Sequence, residues 1–275
     1  MAVVLALLSS VMWGGADFLG GVISRRRSAV VVVAWAEAIG LVICSVAAAA
    51  LGAWHGPLDW LWWGVAAGAA GSLGLACYYA ALAAGTMGVV SPIASLGVSV
   101  PVFVGFLSGE APALIQVWGI VAALVGIVLT SGPELSGGAS ARPVVLAVIA
   151  GLLFGLFFLA MDAGAEVNTL MTLWAMRAGV TAFFVVVALV RRTTGGVDAP
   201  DLGLIALVAI GDLLANLFFA IASTLGYLSI TSVLSSLYPV VTVALAGLVL
   251  HERLRSVQLV GVGVTMLGVG LISAG

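Results

Sequence analysis

No lysine occurs anywhere in these 275 residues, and only 7% of them carry a charge at all. Soluble domains hold roughly 25% charged residues, so this chain has too few to cover a water-facing surface. Its two histidines, His55 and His251, stand alone in loops, and its two cysteines, Cys44 and Cys77, lie inside apolar runs. Neither a disulfide framework nor a Cys- or His-based metal site is supported, and no metal or cofactor is expected. Equally missing are a basic patch for nucleic acid, a nucleophile elbow, a glycine-rich phosphate loop and an ATP-hydrolysing domain. No enzymatic activity is therefore expected, and any active transport would have to draw on a gradient.

What the chain does have is apolar length. Hydrophobic residues make up 63% of it, and the mean hydropathy is +1.31. That composition describes an integral membrane protein whose first partner is the lipid bilayer. The opening run "MAVVLALLSSVMWGGADFLGGVI" has no basic residue before it; Arg25, Arg26 and Arg27 follow it instead. This arrangement predicts a retained first span rather than a cleaved signal peptide.

A helix needs about 20 apolar residues to cross the hydrocarbon core. Reading between polar breaks predicts ten such segments: 2–23, 29–52, 59–83, 88–108, 112–131, 143–162, 168–190, 201–223, 229–250 and 256–274. The runs are continuous rather than alternating in polarity, which argues against a barrel. The expected class is all-α with ten transmembrane helices.

The halves resemble each other. Glu110-x5-Gln116-x2-Gly119-x6-Gly126 recurs as Glu252-x5-Gln258-x2-Gly261-x6-Gly268, and "WAEAIG" (35–40) is matched by "WAMRAG" (174–179). The spacing predicts a duplicated five-helix unit: residues 1–132, a central loop 133–142, and residues 143–275. Five crossings is an odd number, so the second copy must lie inverted. The arginines agree. Arg25–Arg27, Arg142, Arg191, Arg192, Arg253 and Arg255 all fall in loops after odd-numbered spans, and loops after even-numbered spans have none. By the positive-inside rule the odd loops are cytoplasmic and both termini lie outside. Trp54, Trp60, Trp62 and Trp63 then form an outer aromatic belt.

Several of these pieces resemble EamA-type transporters of the drug/metabolite transporter superfamily. They are "WGGADF" in span 1, "YYAALAAGTMGVVSPIASL", "PVFVGFLSGEAPALIQVWG" and its second copy "LYPVVTVALAGLVLHERLRSVQLVG". The resemblance covers the whole chain. It implies ten spans in an inverted five-plus-five repeat and a central cavity reached alternately from each side. It also implies a small metabolite as cargo, often an amino acid or related compound, and location in the plasma membrane. In many relatives the termini are thought to lie inside, opposite to the arginine count here. Ala111-Pro112 also replaces the usual Arg-Leu after the first glutamate.

Ionisable groups near the bilayer centre cost about 2.5–3.5 kcal/mol each on insertion scales, so each needs a reason. Four qualify: Asp17, Glu37, Arg177 and Asp212. By helical rise they lie roughly 12–21 Å from their span ends, within a core about 30 Å thick. Asp17 and Asp212 are candidates for binding substrate or a proton, and Asn216 shares a helix face with Asp212 at i+4. Trp13 stands one turn before Asp17, and Tyr78, Tyr79 and Tyr238 are candidate cavity hydroxyls. Glu37 and Arg177 could form an intramembrane ion pair. For all of these the bland alternative is interhelical hydrogen bonding that merely locks the bundle. Pro92, Pro101 and Pro239, inside spans 4 and 9, are candidate kinks or gates. Glu110 and Glu252 read as helix caps, and the paired glycines such as Gly64-x3-Gly68 as packing faces.

The expected function is a secondary transporter that exports a small organic metabolite by alternating access, coupled to protons. An uncoupled facilitator or multidrug exporter remains open, as does a non-transporting scaffold or lipid flippase subunit.

Overall fold

The computed structural model describes residues 1–54, 58–85, 87–130, 141–250 and 256–274. His55, His251, Glu252, Arg253, Arg255 and nearly all of the central 133–142 loop therefore lie outside the described residues, as does the side chain of Pro92. Among the described residues the secondary structure is entirely helical.

The helices are α1 (Ala2–Ser24), α2 (Ala29–Leu51), α3 (Trp60–Ala84), α4 (Met87–Ser95), α5 (Ser99–Leu107), α6 (Leu114–Thr130), α7 (Ala141–Arg191), α8 (Ala199–Leu225), α9 (Leu228–Ser235), α10 (Tyr238–Val249) and α11 (Ser256–Ala274). By length and apolar composition six helices or helix pairs reach across a bilayer: α1, α2, α3, α7, α8 and the α9–α10 pair. Shorter apolar helices occupy Ile93–Leu107, Leu114–Gly126 and Leu259–Ile272. Large apolar side chains cover the outside, among them Val46, Phe103, Leu189 and Leu248. In water such a surface would aggregate; against acyl chains it costs nothing.

α7 shows how the sequence ends a helix without proline. Its 51 residues would span about 77 Å if straight, far more than a membrane. Asn168 breaks it by adopting an extended backbone, φ −164° and ψ 102°. The Asn168 carboxamide oxygen then accepts the Met171 N–H at 3.1 Å, the side-chain capping that asparagine favours at a new helix start. The chain reverses there, since the Thr172 hydroxyl donates to the Gly164 carbonyl at 2.8 Å. Both halves of α7 run along α3. At Gly64 and Gly68 of α3 an added Cβ would strike the backbone of Thr172 and Met176, so only glycine permits that approach.

Elsewhere α1 packs on α8, α9 and α10, α2 on α7 and α8, α4 on α7, and α6 on α11. Contacts between helix ends sort the turns to two ends of the bundle. At one end Gly85 meets Pro143, and Gly195 meets Val31. At the other Gly226 meets Ala2, and Trp54 packs edge-on against Trp174 with ring centroids 5.1 Å apart. The described loop arginines, Arg25–Arg27, Arg142, Arg191 and Arg192, all follow the first set of turns. Trp62 and Trp63 are exposed near the second end, but Trp60 departs from the expected belt: it is buried, against Trp174.

The prolines also depart from the reading of mid-helix kinks. The backbone leaves α-helical form at 96–98, between α4 and α5, and at 236–237, between α9 and α10. Pro101 and Pro239 lie in the first turn after each break, where a helix has no use for the missing N–H. They start helices rather than bend them, and Pro92 lies within α4 before the first break.

Candidate functional site

The four mid-span ionisable residues converge. Arg177, on the second half of α7, is 1% exposed. Its Nη1 lies 2.9 Å from Glu37 Oε2 on α2, and its Nη2 lies 2.6 Å from Asp212 Oδ2 on α8. One guanidinium therefore holds two carboxylates, not the single Glu37 partner read from the sequence. An arginine can do this because its fork presents several donors in one plane. Buried charges persist only when paired and hydrogen-bonded, and both acids meet that condition. The Ser72 hydroxyl on α3 donates to Glu37 Oε1 at 2.8 Å. Asp212 accepts from Asn216 Nδ2 at 2.9 Å and from the Trp13 indole N–H at 3.1 Å. Asn216 also reaches back to the Asp212 carbonyl at 2.7 Å, as its i+4 position allows.

Asp17 is the acid left over. It is 4% exposed, and among the described residues no hydrogen bond or ion pair reaches its carboxyl group. Its titratable neighbours include Asp212 on α8, Tyr78 and Tyr79 on α3, and Tyr238 on α10. None of those is a base.

Asp17 lines a cavity between the helices that also exposes Glu37, Arg177, Asp212, Asn216 and Ser72. Aromatic side chains also line it: Trp13, Phe154, Phe157, Phe158 and Tyr238. Trp13 packs edge-on against Phe157 and Phe158, with ring centroids 6.0 and 5.7 Å away. The cavity volume is about 50 Å³. At roughly 10–15 Å³ per water, that is room for a few solvent molecules.

Of the other residues singled out in the sequence, Tyr238 lines the cavity, with a buried hydroxyl that has no partner among the described residues. Tyr78 and Tyr79 do not line it. The Tyr78 hydroxyl is 2.5 Å from that of Ser91 on α4, and the Tyr79 ring packs across Gly20 of α1. Both sit behind the wall. Sequence reading missed Ser72, Phe154, Phe157 and Phe158. The paired phenylalanines of "LLFGLFFLAMD" carry no signal distinguishing a cavity wall from ordinary packing, and a lone serine in an apolar span carries even less.

Further polar contacts lie toward the two ends of the bundle. At the arginine-bearing end Arg27 pairs with Asp198, at 2.8 Å, and with Asp201; the Trp35 indole N–H donates to the Thr194 carbonyl at 3.0 Å. At the other end Glu110, just after α5, accepts the Leu228 and Ser229 N–H groups at 2.6 and 3.0 Å. Glu110 thus caps α9, about 118 residues away, rather than the helix that follows it.

This fold and this cavity define a multi-pass membrane protein with a small chamber between its helices, mostly apolar and carrying a few ionisable groups. A solved structure described as "Crystal structure of protein" shares the fold, with a TM-score of 0.79 over 99% of this chain and 96% of its own, at 17% sequence identity. No curated protein sequence matches the chain. The sequence model of the EamA-like transporter family matches it over residues 1–132 and 141–274. The chain belongs to that family and is a membrane transporter of the drug/metabolite transporter superfamily.

Proposed function

We propose that this transporter is a proton-coupled secondary exporter of a small organic metabolite, with Asp17 as the group that exchanges the proton. The observation that carries the reading is the Asp17 carboxyl: buried, facing the chamber, and without a partner among the described residues while its three ionisable neighbours are paired. A lone carboxylate in an apolar enclosure gains by meeting a proton or a cation. That gives one group two competing occupants, which is what coupling requires.

The chain crosses the membrane ten times in this reading, as two inverted units, 1–132 and 143–275, around the 133–142 loop. The halves of α7 count as two crossings, and the broken pairs α4–α5 and α9–α10 as one each. Support comes from the internal sequence repeat, from the two stretches over which the family model matches, and from the sorting of loop arginines to one end. That end faces the cytoplasm by the positive-inside rule, placing both termini outside, in the plasma membrane. Pockets for drug-sized ligands run to about 300–1,000 Å³, so a chamber of about 50 Å³ has to widen to take its cargo. The Arg27 cluster lies toward one end of the bundle and the Glu110 cap toward the other.

Reconstituted liposomes containing a pH-sensitive dye test this. A library of amino acids and amines is added, and solute-triggered proton movement is followed. We expect at least one solute to move protons with the wild type and none to do so with Asp17→Asn. Solute uptake indifferent both to the gradient and to Asp17→Asn would instead establish an uncoupled facilitator. No uptake of any solute would favour a scaffold or flippase role. Labelling of single cysteines at Ser28 and Gly56 from opposite faces tests the orientation.

A further inference from the structure

We infer that the chamber selects an organic monocation with an apolar or aromatic body, and discriminates against amino-acid zwitterions, anions and neutral isosteres. The inference rests on reading the chamber as the transport site, and it concerns which charge that site accepts.

The chamber contains three acids and one base. The base is not on offer: both terminal nitrogens of Arg177 are committed, one to Glu37 and one to Asp212. Of its five N–H groups these pairs use one on each terminal nitrogen, and Nε, which has no acceptor among the described residues, packs against Gly40 of α2, outside the chamber lining. An incoming carboxylate would therefore find a cation whose charge two acids already offset. It would also meet Asp17, Glu37 and Asp212, and like charges at close range in a low-dielectric enclosure repel strongly.

An incoming ammonium group meets the opposite situation. The Asp17 carboxyl, nine-tenths buried and unpartnered among the described residues, can accept its hydrogen bonds as a charge-assisted pair. The rest of the ligand lies against Trp13, Phe154, Phe157, Phe158 and Tyr238. Ring faces carry negative quadrupole potential and attract cations at up to about 6 Å from the centroid, while the same surfaces bury an apolar body. A neutral alcohol of the same shape keeps the second contribution and loses the first. A zwitterion keeps both, but must also bury a carboxylate beside three acids, with the one cation already shared between two of them.

The test is a matched series on the purified wild-type protein: phenethylamine, phenylalanine, 3-phenylpropionate and phenethyl alcohol, four ligands with one ring and four charge patterns. Affinities are read by isothermal titration or by ligand-induced thermal shift. We expect phenethylamine to bind at least tenfold more tightly than each of the others. Phenylalanine, the anion or the alcohol binding as tightly as the amine would overturn the inference, as would no binding of the amine. In Asp17→Asn the preference of amine over alcohol is expected to collapse to within about twofold; should that variant fail to fold, the wild-type series decides alone. The same four solutes are then assayed in liposomes. Amine binding without transport of any solute would sink the transporter reading and leave the charge selectivity standing. Proton-coupled transport of phenylalanine with no preference for the amine would do the reverse.

Discussion

Glu110 and Leu228 stand 118 positions apart in the chain and are joined by a 2.6 Å hydrogen bond, the glutamate oxygen accepting the first backbone N–H of α9. The second oxygen takes the Ser229 N–H at 3.0 Å. A carboxylate at a helix N-terminus satisfies donors that have no partner within the helix and meets the positive end of its dipole. Glu110→Ala should therefore cost about 1–3 kcal/mol, and Glu110→Gln, which keeps one acceptor, less. Thermal unfolding followed by size-exclusion chromatography would show a graded fall in midpoint, alanine below glutamine below wild type. Equal midpoints for all three would mean the cap contributes nothing.

Arg177 predicts an asymmetry. Removing a buried charge that serves two acids costs about 3–5 kcal/mol, because the acids are then left unpaired. Arg177→Leu alone should accumulate poorly, whereas Arg177→Leu combined with Glu37→Gln and Asp212→Asn should recover much of the folded yield. Yield and monodispersity in detergent are the readouts. A triple variant no better than the single one would argue that the guanidinium is needed for its shape rather than its charge.

Asp198 gives a pH-dependent expectation outside the membrane. The Asp201 N–H, and then the Arg27 charge, hold its carboxyl below the usual carboxylate range. A depressed folded-state value means the ionised form contributes stability above the unfolded carboxylate range. That contribution disappears as pH falls through the folded value. The melting-temperature difference between wild type and Asp198→Asn should be largest at neutral pH and shrink as acid protonates the site. A difference that grows on acidification would contradict the assignment.

Gly68→Leu should be severely destabilising, since even a Cβ there meets the Met176 backbone. Overpacking costs typically 1–3 kcal/mol, and more where the obstacle is backbone. Gly15, with nothing within 4 Å of an added Cβ, is the control. Gly15→Ala should leave folded yield unchanged, and equal losses at both sites would refute the packing explanation.

The positions of Asp17, Glu37, Arg177 and Asp212 at similar depth were legible in the sequence because ionisable groups inside apolar helices can lower their cost only by meeting one another. Asn216 was legible for the simpler reason of helical spacing. How the charges divide was not. Whether Arg177 takes one acid or two depends on the relative rotation of α2, α7 and α8, and no local pattern encodes rotation. The same gap explains Tyr78 and Tyr79. Adjacent residues on a helix point about 100° apart, and which of them faces a chamber is decided by neighbours distant in sequence. The breaks at 96–98 and 236–237 were placed a few residues too far along, at Pro101 and Pro239. Proline announces that a helix has just begun as readily as that one is bent.

Ser72, Glu37, Arg177, Asp212 and Trp13 sit on α3, α2, α7, α8 and α1, each joined to the next by a contact of 3.1 Å or less. Five helices are thus strung on one polar cable through the middle of the bundle. Cutting its ionic links would strand a buried ion at a cost of about 3–5 kcal/mol, so the cable ties these five helices to one another. The two interrupted pairs, α4–α5 and α9–α10, carry none of its links, so a change in how they pack would break no ion pair of the cable.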